Sequence, residues 1–290
     1  MSRRRADIAA AANGLKPLGS ADLAKLCDFL YGRTGMQFGE SKRYYIDRRV
    51  AERMAQRRTS TFADYFALLR TDGDEVEQLI NSFTINETYF YREQHQFACL
   101  SGSILPEIIR SKKPGDKIRI WSVPCSSGKE PYSIAIWLLE NWSLVDAYHV
   151  EIVGSDIDTA IVAQALDARY GRRAVMRLPP GLVERYFVPA EDGRVRLIED
   201  LRESVIFTAM NITDPASVAG HGAFDVVFCR NLLIYFDEPA RIRCMQSLFD
   251  SLAPGGFICL GHSESMSRIS DRFITRRFTD GIVYQRPERP

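Results

Sequence analysis

The chain has 290 residues, of which 46% are apolar and 26% charged, and a formal net charge of +1. Such a length suits about two domains and buries about three-quarters of the unfolded surface, so the core needs neither disulfide nor metal. The composition is that of a globular protein. No run of about 18 apolar residues could span a membrane, and the balanced charge draws neither nucleic acid nor an anionic surface. Yet residues 1–60 hold thirteen Lys/Arg against six Asp/Glu, a net +7, and this basic front end is the first hint of a partner.

The opening MSRRRADIAAAANGLK has a basic start and an Ala-rich stretch. Asn13, Gly14 and Lys16 interrupt it, so a cleaved export signal is not expected. The six cysteines lack C-x-x-C spacing, and Cys27, Cys229, Cys244 and Cys259 have apolar neighbours, as free thiols in a reducing cytoplasm would. The four histidines have no metal-ligand spacing, and no metal is expected.

Residues 20–84 read as short helices. Ser20 can cap one with Leu23, Leu26, Cys27 and Leu30 on its inner face, and Thr61 another with Phe62, Tyr65, Phe66 and Leu69. Val76, Leu79, Ile80 and Phe83 mark a third. Between them runs KRYYIDRRVAERMAQRR, residues 42–58, with an apolar stripe of Ile46, Val50 and Met54. Lys42, Arg49, Arg53 and Arg57 fall in an arc of about 80° beside that stripe. Such a run is often a solvated face, but here cations outnumber acids seven to two. That surplus favours an acidic protein partner, and the lack of an aromatic stacking platform disfavours nucleic acid.

SKKPGD, residues 111–116, is read as the boundary between a helical domain, 1–110, and an α/β domain, 111–290. KIRIWSV, HVEIVGSD, VIFTA, FDVVFC and PGGFICLG alternate with helical stretches, giving a mostly parallel sheet whose ligands bind beyond the carboxyl ends of the strands. FITRRFTDGIVYQR reads as a closing hairpin. Residues of about 172–203 break the alternation and read as a small antiparallel β insertion suited to binding.

In VPCSSGKEPYS, residues 123–133, a strand meets a helix opened by Pro131. Neither G-x-G-x-x-G nor G-x-x-x-x-G-K-[ST] is present, so a phosphate cradle is poorly supported. Glu130 repels polyphosphate and suits a cationic group such as an amine. Asp156 ends the next strand, 28 residues after Gly128. There it could accept from both ribose hydroxyls or cap a helix. Glu130 and Asp156 together describe a phosphate-free, positively charged nucleoside, and S-adenosylmethionine fits. Asn211 and Ile212 follow VIFTA, where adenine contacts fit, and Asn231 and Tyr235 lie at the tip of FDVVFC.

NETYFYR, CSSGKEPYS, GSDID, MNITD, FDVVFCRNLLIYF and PGGFICLGHSES occur in that order, and the chain thereby resembles the CheR-type chemotaxis receptor methyltransferases over nearly its whole length. The resemblance implies a Rossmann-like S-adenosylmethionine-dependent methyltransferase sheet after an all-helical domain. It also implies a protein-glutamate O-methyltransferase that esterifies glutamates on the cytoplasmic helical bundle of chemoreceptors and releases S-adenosylhomocysteine. By the same resemblance Asn86, Thr88, Arg92, Glu130, Asp156, Asn211, Ile212, Asn231 and Leu232 contact the cofactor, and Arg92 and Tyr235 lie nearest the transferred methyl. Lys42, Arg49, Arg53 and Arg57 match the helix thought to dock on acidic receptor helices. VPAEDGRVRL is short, so dependence on a receptor's C-terminal pentapeptide is not expected, and the chain is expected to act as a cytoplasmic monomer. The rival readings are a catalytically idle receptor-binding homologue and a methyltransferase for another substrate class. A hydrolase is disfavoured because GHSES has Ser265 where G-x-S-x-G needs its last Gly.

Overall fold

A computed structural model describes residues 17–267 and 269–288. The reading of the first sixteen residues, including their share of the basic front end, lies outside the described residues. The chain separates into two compact units that divide between Ile85 and Asn86.

Among the described residues the first unit holds four α-helices, Ser20–Thr34, Arg43–Arg57, Phe62–Leu68 and Gly73–Phe83. Their inward stripes meet as expected: Leu26, Leu30, Ile46, Tyr65, Leu79 and Phe83 share one core. Thr61 caps its helix by accepting from the Asp64 N–H (3.2 Å). Ser20 does not cap, because the extended residue before the first helix is Gly19 and Ser20 is already helical.

The cationic arc is not uniform. Arg53 turns inward and pairs with Glu75, which is 1% exposed and also accepts from the Tyr65 hydroxyl (2.7 Å). Burial pushes the Tyr65 hydroxyl well up its scale, and the Glu75 carboxylate adds to that. Arg57 pairs with Asp72 and lies 3.4 Å from Glu75. Arg49 lies 3.5 Å from Glu52 and sits over the Tyr45 ring at 5.2 Å. The Lys42 ammonium is exposed, 5.7 Å from the Phe38 ring. The four positions expected to form one docking stripe thus divide. Arg53 belongs to the core of the unit, because a carboxylate as buried as Glu75 requires a counter-charge.

Among the described residues the second unit has ten strands: β1 (Lys117–Ser122), β2 (His149–Asp156), β3 (Arg169–Tyr170), β4 (Phe187–Pro189), β5 (Val195–Leu197), β6 (Val205–Ala209), β7 (Phe224–Cys229), β8 (Leu252–Leu260), β9 (Ile274–Phe278) and β10 (Gly281–Gln285). Seven form one sheet in the order β6-β2-β1-β7-β8-β10-β9. The first five run parallel, and the β9–β10 hairpin closes the edge antiparallel. β7 is buried almost end to end, as its unbroken apolar run FDVVFC demands of a strand covered on both faces.

Sequence reasoning put the domain boundary at residue 110, but the chain divides 25 residues earlier. Phe97, Leu100, Ile104 and Leu105, from the helical segment before SKKPGD, pack at 0% exposure in the same core as Ile118, Ile120 and Val226. SKKPGD is only the turn that leads into β1. The insertion is antiparallel, in the order β3-β5-β4, though its first strand starts at Arg169 and the short helices Arg172–Val175 and Pro180–Tyr186 lie within it. Tyr170 fastens it: the ring packs edge-on against Phe90 and Phe187, and the hydroxyl donates to the Ser127 carbonyl (2.9 Å).

Candidate functional site

The parallel strands end together. Ser122 pairs with both Gly154 and Phe228, and Asp156 pairs with Ala209. Just beyond, the Val123 N–H donates to the Phe228 carbonyl (2.9 Å), Cys125 N–H to Ser155 (2.8 Å) and Met210 N–H to Asp156 (2.8 Å). The loops after β1, β2, β6 and β7 therefore lie side by side at the carboxyl edge, where ligands bind in open α/β sheets.

Asp156 ends β2 at that edge and is 4% exposed. One oxygen accepts the Ser126 N–H (2.8 Å) and the other the Asp158 N–H (3.0 Å). Burial pushes its pKa up to about 6, against the pull of those backbone donors. A carboxylate offers about four lone-pair sites, so acceptor capacity remains. The helix-cap alternative belongs to its neighbour instead. Asp158 caps Thr159–Asp167 by accepting the Ile161 N–H (3.0 Å), and it also receives the Asn86 amide (2.8 Å). The Ser126 hydroxyl donates to the Asn86 carbonyl (3.3 Å), which ties the N-E-T segment to the β1 and β2 loops.

Gly128 precedes the Lys129–Asn141 helix with φ +79°. A Cβ there would lie 2.9 Å from the Ala165 Cβ, so this loop needs glycine both for its left-handed backbone and for close helix packing. Pro131 falls within the first turn of that helix rather than at its first position. Lys129 folds away, 2.6 Å from the Ser127 hydroxyl and over the Tyr170 ring, and burial lowers its pKa to about 8.

Glu130, expected to await a cation from the ligand, already has one from the protein. Its side chain is 13% exposed; it accepts the Ser122 hydroxyl (2.8 Å) and Arg230 Nη1 (2.7 Å). Burial raises its pKa while Arg230 pulls it down. Arg230 also donates to the Arg92 carbonyl (2.7 Å) and lies 3.3 Å from Glu93. Burial opposes ionisation of Glu93, but Arg230 and His262 outweigh it and its pKa is lowered. Arg230 Nε is buried without a hydrogen-bond partner among the described residues. Sequence reasoning passed over Arg230, although a cation directly after the apolar run FDVVFC needs a buried acid.

The remaining residues sit nearby with varied engagement. Arg92 Nη1 donates to the Glu87 carbonyl (3.0 Å), and Arg92 shares the Tyr89 ring with Arg177. Thr88 is half-buried. Asn211 turns its carbonyl oxygen to the Thr213 N–H and hydroxyl (3.1 and 2.8 Å), and Ile212 is buried. Asn231 adopts φ +58° just after β7; Leu232 follows, and the turn Leu233–Tyr235 ends at a half-buried Tyr235. The docking candidates Lys42, Arg49, Arg53 and Arg57 belong to the first unit. Among the described residues no cluster of His, Cys, Asp and Glu could hold a metal, and no helix is long and apolar enough to cross a membrane.

Comparison with known proteins gives the family. Chemotaxis protein methyltransferase 2 of Vibrio cholerae serotype O1 is 44% identical over 270 residues, covering 92% of this chain and 93% of that protein. Chemotaxis protein methyltransferase Cher2 of Pseudomonas putida is 32% identical, covering 92% of this chain and 98% of its own length. Residues 86–282 match the family model for the CheR methyltransferase SAM binding domain, and residues 21–84 match the CheR methyltransferase all-alpha domain. The chain therefore belongs to the CheR methyltransferase family, with an S-adenosylmethionine-binding α/β domain preceded by the family's helical domain.

Proposed function

We propose that the protein methylates glutamate side chains on chemoreceptor cytoplasmic domains, with S-adenosylmethionine as donor. The observation that carries this is the pair of acids past adjacent strand exits, buried Asp156 and largely covered Glu130, with no phosphate cradle beside them. The donor set fits the cofactor. Asp156 keeps lone pairs for ribose hydroxyls, and Glu130 with Arg230 presents both charges to an amino-acid moiety. Asn86, Thr88, Asn211, Ile212, Asn231 and Leu232 complete the binding surface. When bound, S-adenosylmethionine supplies a methyl group activated by its sulfonium.

The protein's task is then alignment and exclusion of water. A glutamate carboxylate is already ionised near pH 7, so no strong general base is required. Arg92 steers the incoming carboxylate with its forked donors, and Tyr235 fixes its approach. Lys42 and Arg49 guide an acidic receptor helix, while Arg57 divides its charge between that task and Asp72. The protein acts in the cytoplasm as a monomer and without a receptor pentapeptide.

Labelled cofactor incubated with receptor cytoplasmic fragments tests the reading. Base-labile label on glutamate is expected. Label on a small acid or on nucleic acid, or no transfer by a chain that binds cofactor, overturns it.

A further inference from the structure

We propose that Glu264 is a positioning residue that clamps the Asn231–Leu233 segment in the shape the cofactor requires. This rests on the reading above that Asn231 and Leu232 face S-adenosylmethionine. Glu264 lies in GHSES, a stretch to which the reaction itself assigns no task.

The geometry is specific. After β8 the chain turns back, with the Glu264 N–H donating to the Gly261 carbonyl (2.9 Å). The Glu264 carboxylate reaches across to the exit of β7. Its Oε2 accepts the N–H groups of Asn231 (2.7 Å) and Gly261 (2.9 Å), and its Oε1 accepts the N–H of Leu233 (2.7 Å). No Lys or Arg pairs with it among the described residues, so its charge serves three backbone donors. Two of them bracket Leu232. Asn231 is held in left-handed backbone, which a non-glycine residue adopts at a cost and keeps only where its surroundings fix it. The next turn is fastened by the Tyr235 N–H donating to the Leu232 carbonyl (3.1 Å) and Arg241 Nε to the Leu233 carbonyl (2.9 Å). The carboxylate thus sets both the Asn231–Leu232 backbone and the start of the turn that carries Tyr235.

Gly261 is the second half of the clamp. A Cβ at that position would stand 2.8 Å from Glu264 Oε2 and 3.0 Å from the Asn231 nitrogen, so any side chain expels the carboxylate.

Glutamine is the discriminating substitution. It is isosteric, but its amide NH₂ must face one of the three N–H donors, so one bond becomes a donor–donor contact. In the full chain, Glu264→Gln is expected to weaken S-adenosylmethionine binding, read by calorimetry, by about tenfold or more while thermal unfolding stays cooperative. Gly261→Ala is expected to give the same loss. The double variant is expected to be no weaker than either single, because both remove one interaction. Ser265→Ala, which removes a hydroxyl bonded to Ser267 and not to the clamp, is expected to bind as wild type. Affinity within twofold of wild type in a folded Glu264→Gln variant overturns the proposal, as do fully additive losses. If the glutamine variant does not fold, hydrogen exchange of the wild-type chain decides. Protected Asn231 and Leu233 amides support the clamp, and exchange at open-loop rates refutes it. The readout is cofactor affinity, so the clamp stands or falls separately from the identity of the methylated substrate.

Discussion

Asp156→Asn separates cofactor recognition from stability. With its pKa raised from 3.8 to about 6, Asp156 favours folding while protonated, and that contribution is lost as pH rises through 6. Above pH 6 the buried charge opposes folding by about 3 kcal/mol, at about 1.4 kcal/mol per unit. Asparagine removes that cost. It also turns one acceptor into a donor facing either the Ser126 or the Asp158 N–H, a loss of about 1.5–3 kcal/mol for a hydrogen bond to a charged group. The two effects nearly cancel, so the melting temperature at pH 8 is expected to move by less than about 5 °C. Cofactor binding has no such compensation. One lost ribose acceptor weakens it by about ten- to a hundredfold by calorimetry. Wild-type affinity is further expected to fall about tenfold per unit below about pH 6 as Asp156 protonates, while the asparagine variant shows a flatter profile. Equal affinities at pH 8, or identical pH profiles, would falsify the assignment of Asp156 to the ribose.

Two further outcomes follow from the ion pairs. Arg230→Met leaves Glu130 buried without its counter-charge and is expected to cost about 3–5 kcal/mol in denaturant unfolding at pH 8; adding Glu130→Gln should recover part of that. A double variant losing as much as the single would show that Arg230 serves packing alone. Reversing charge at Lys42 and Arg49 together is expected to lower receptor methylation most at low salt, with cofactor affinity unchanged. Arg53→Glu is expected instead to unfold the helical unit, because it sets a second carboxylate against buried Glu75. Unaltered methylation in the first variant would remove the docking assignment, and a stable Arg53→Glu protein would overturn the account of the buried pair.

Much of the fold was legible because burial writes itself into period and run length. FDVVFC is covered on both faces and reads as a continuous apolar run, while Leu23, Leu26 and Leu30 repeat at helical spacing. The acids Asp156 and Glu130 were legible only as a pair, because either alone has an ordinary use as a helix cap or first-turn acid. The domain limit was not: Phe97, Leu100 and Ile104 show helical period, but period does not say which core receives them. Nor did the arc containing Arg53 reveal that one of its members turns inward. Its partner Glu75 lies 22 residues away on another helix, and pairing across helices leaves no local pattern. Arg230 and Glu264 escaped for the same reason, since their partners are 100 and about 30 residues distant.

The missing partners change the electrostatic reading of the site. Two acids alone would describe a simple trap for a cation. With Arg230 shared between Glu130 and Glu93, that cluster carries one net negative charge, and ionised Asp156 carries a second. Lys129 does not neutralise them, for its ammonium is folded onto Ser127 and the Tyr170 ring. A polyphosphate brought to this edge would face repulsion in a poorly screened setting, whereas a zwitterionic sulfonium brings one net positive charge. On the proposed reading, Arg230 lowers the negative field that Glu130 and Glu93 would otherwise set against the carboxylate of an amino-acid moiety. The proposed selectivity for a phosphate-free adenosine cation thus rests on three groups acting together, Asp156, Glu130 and Arg230, and only the contacts of the third reveal its part.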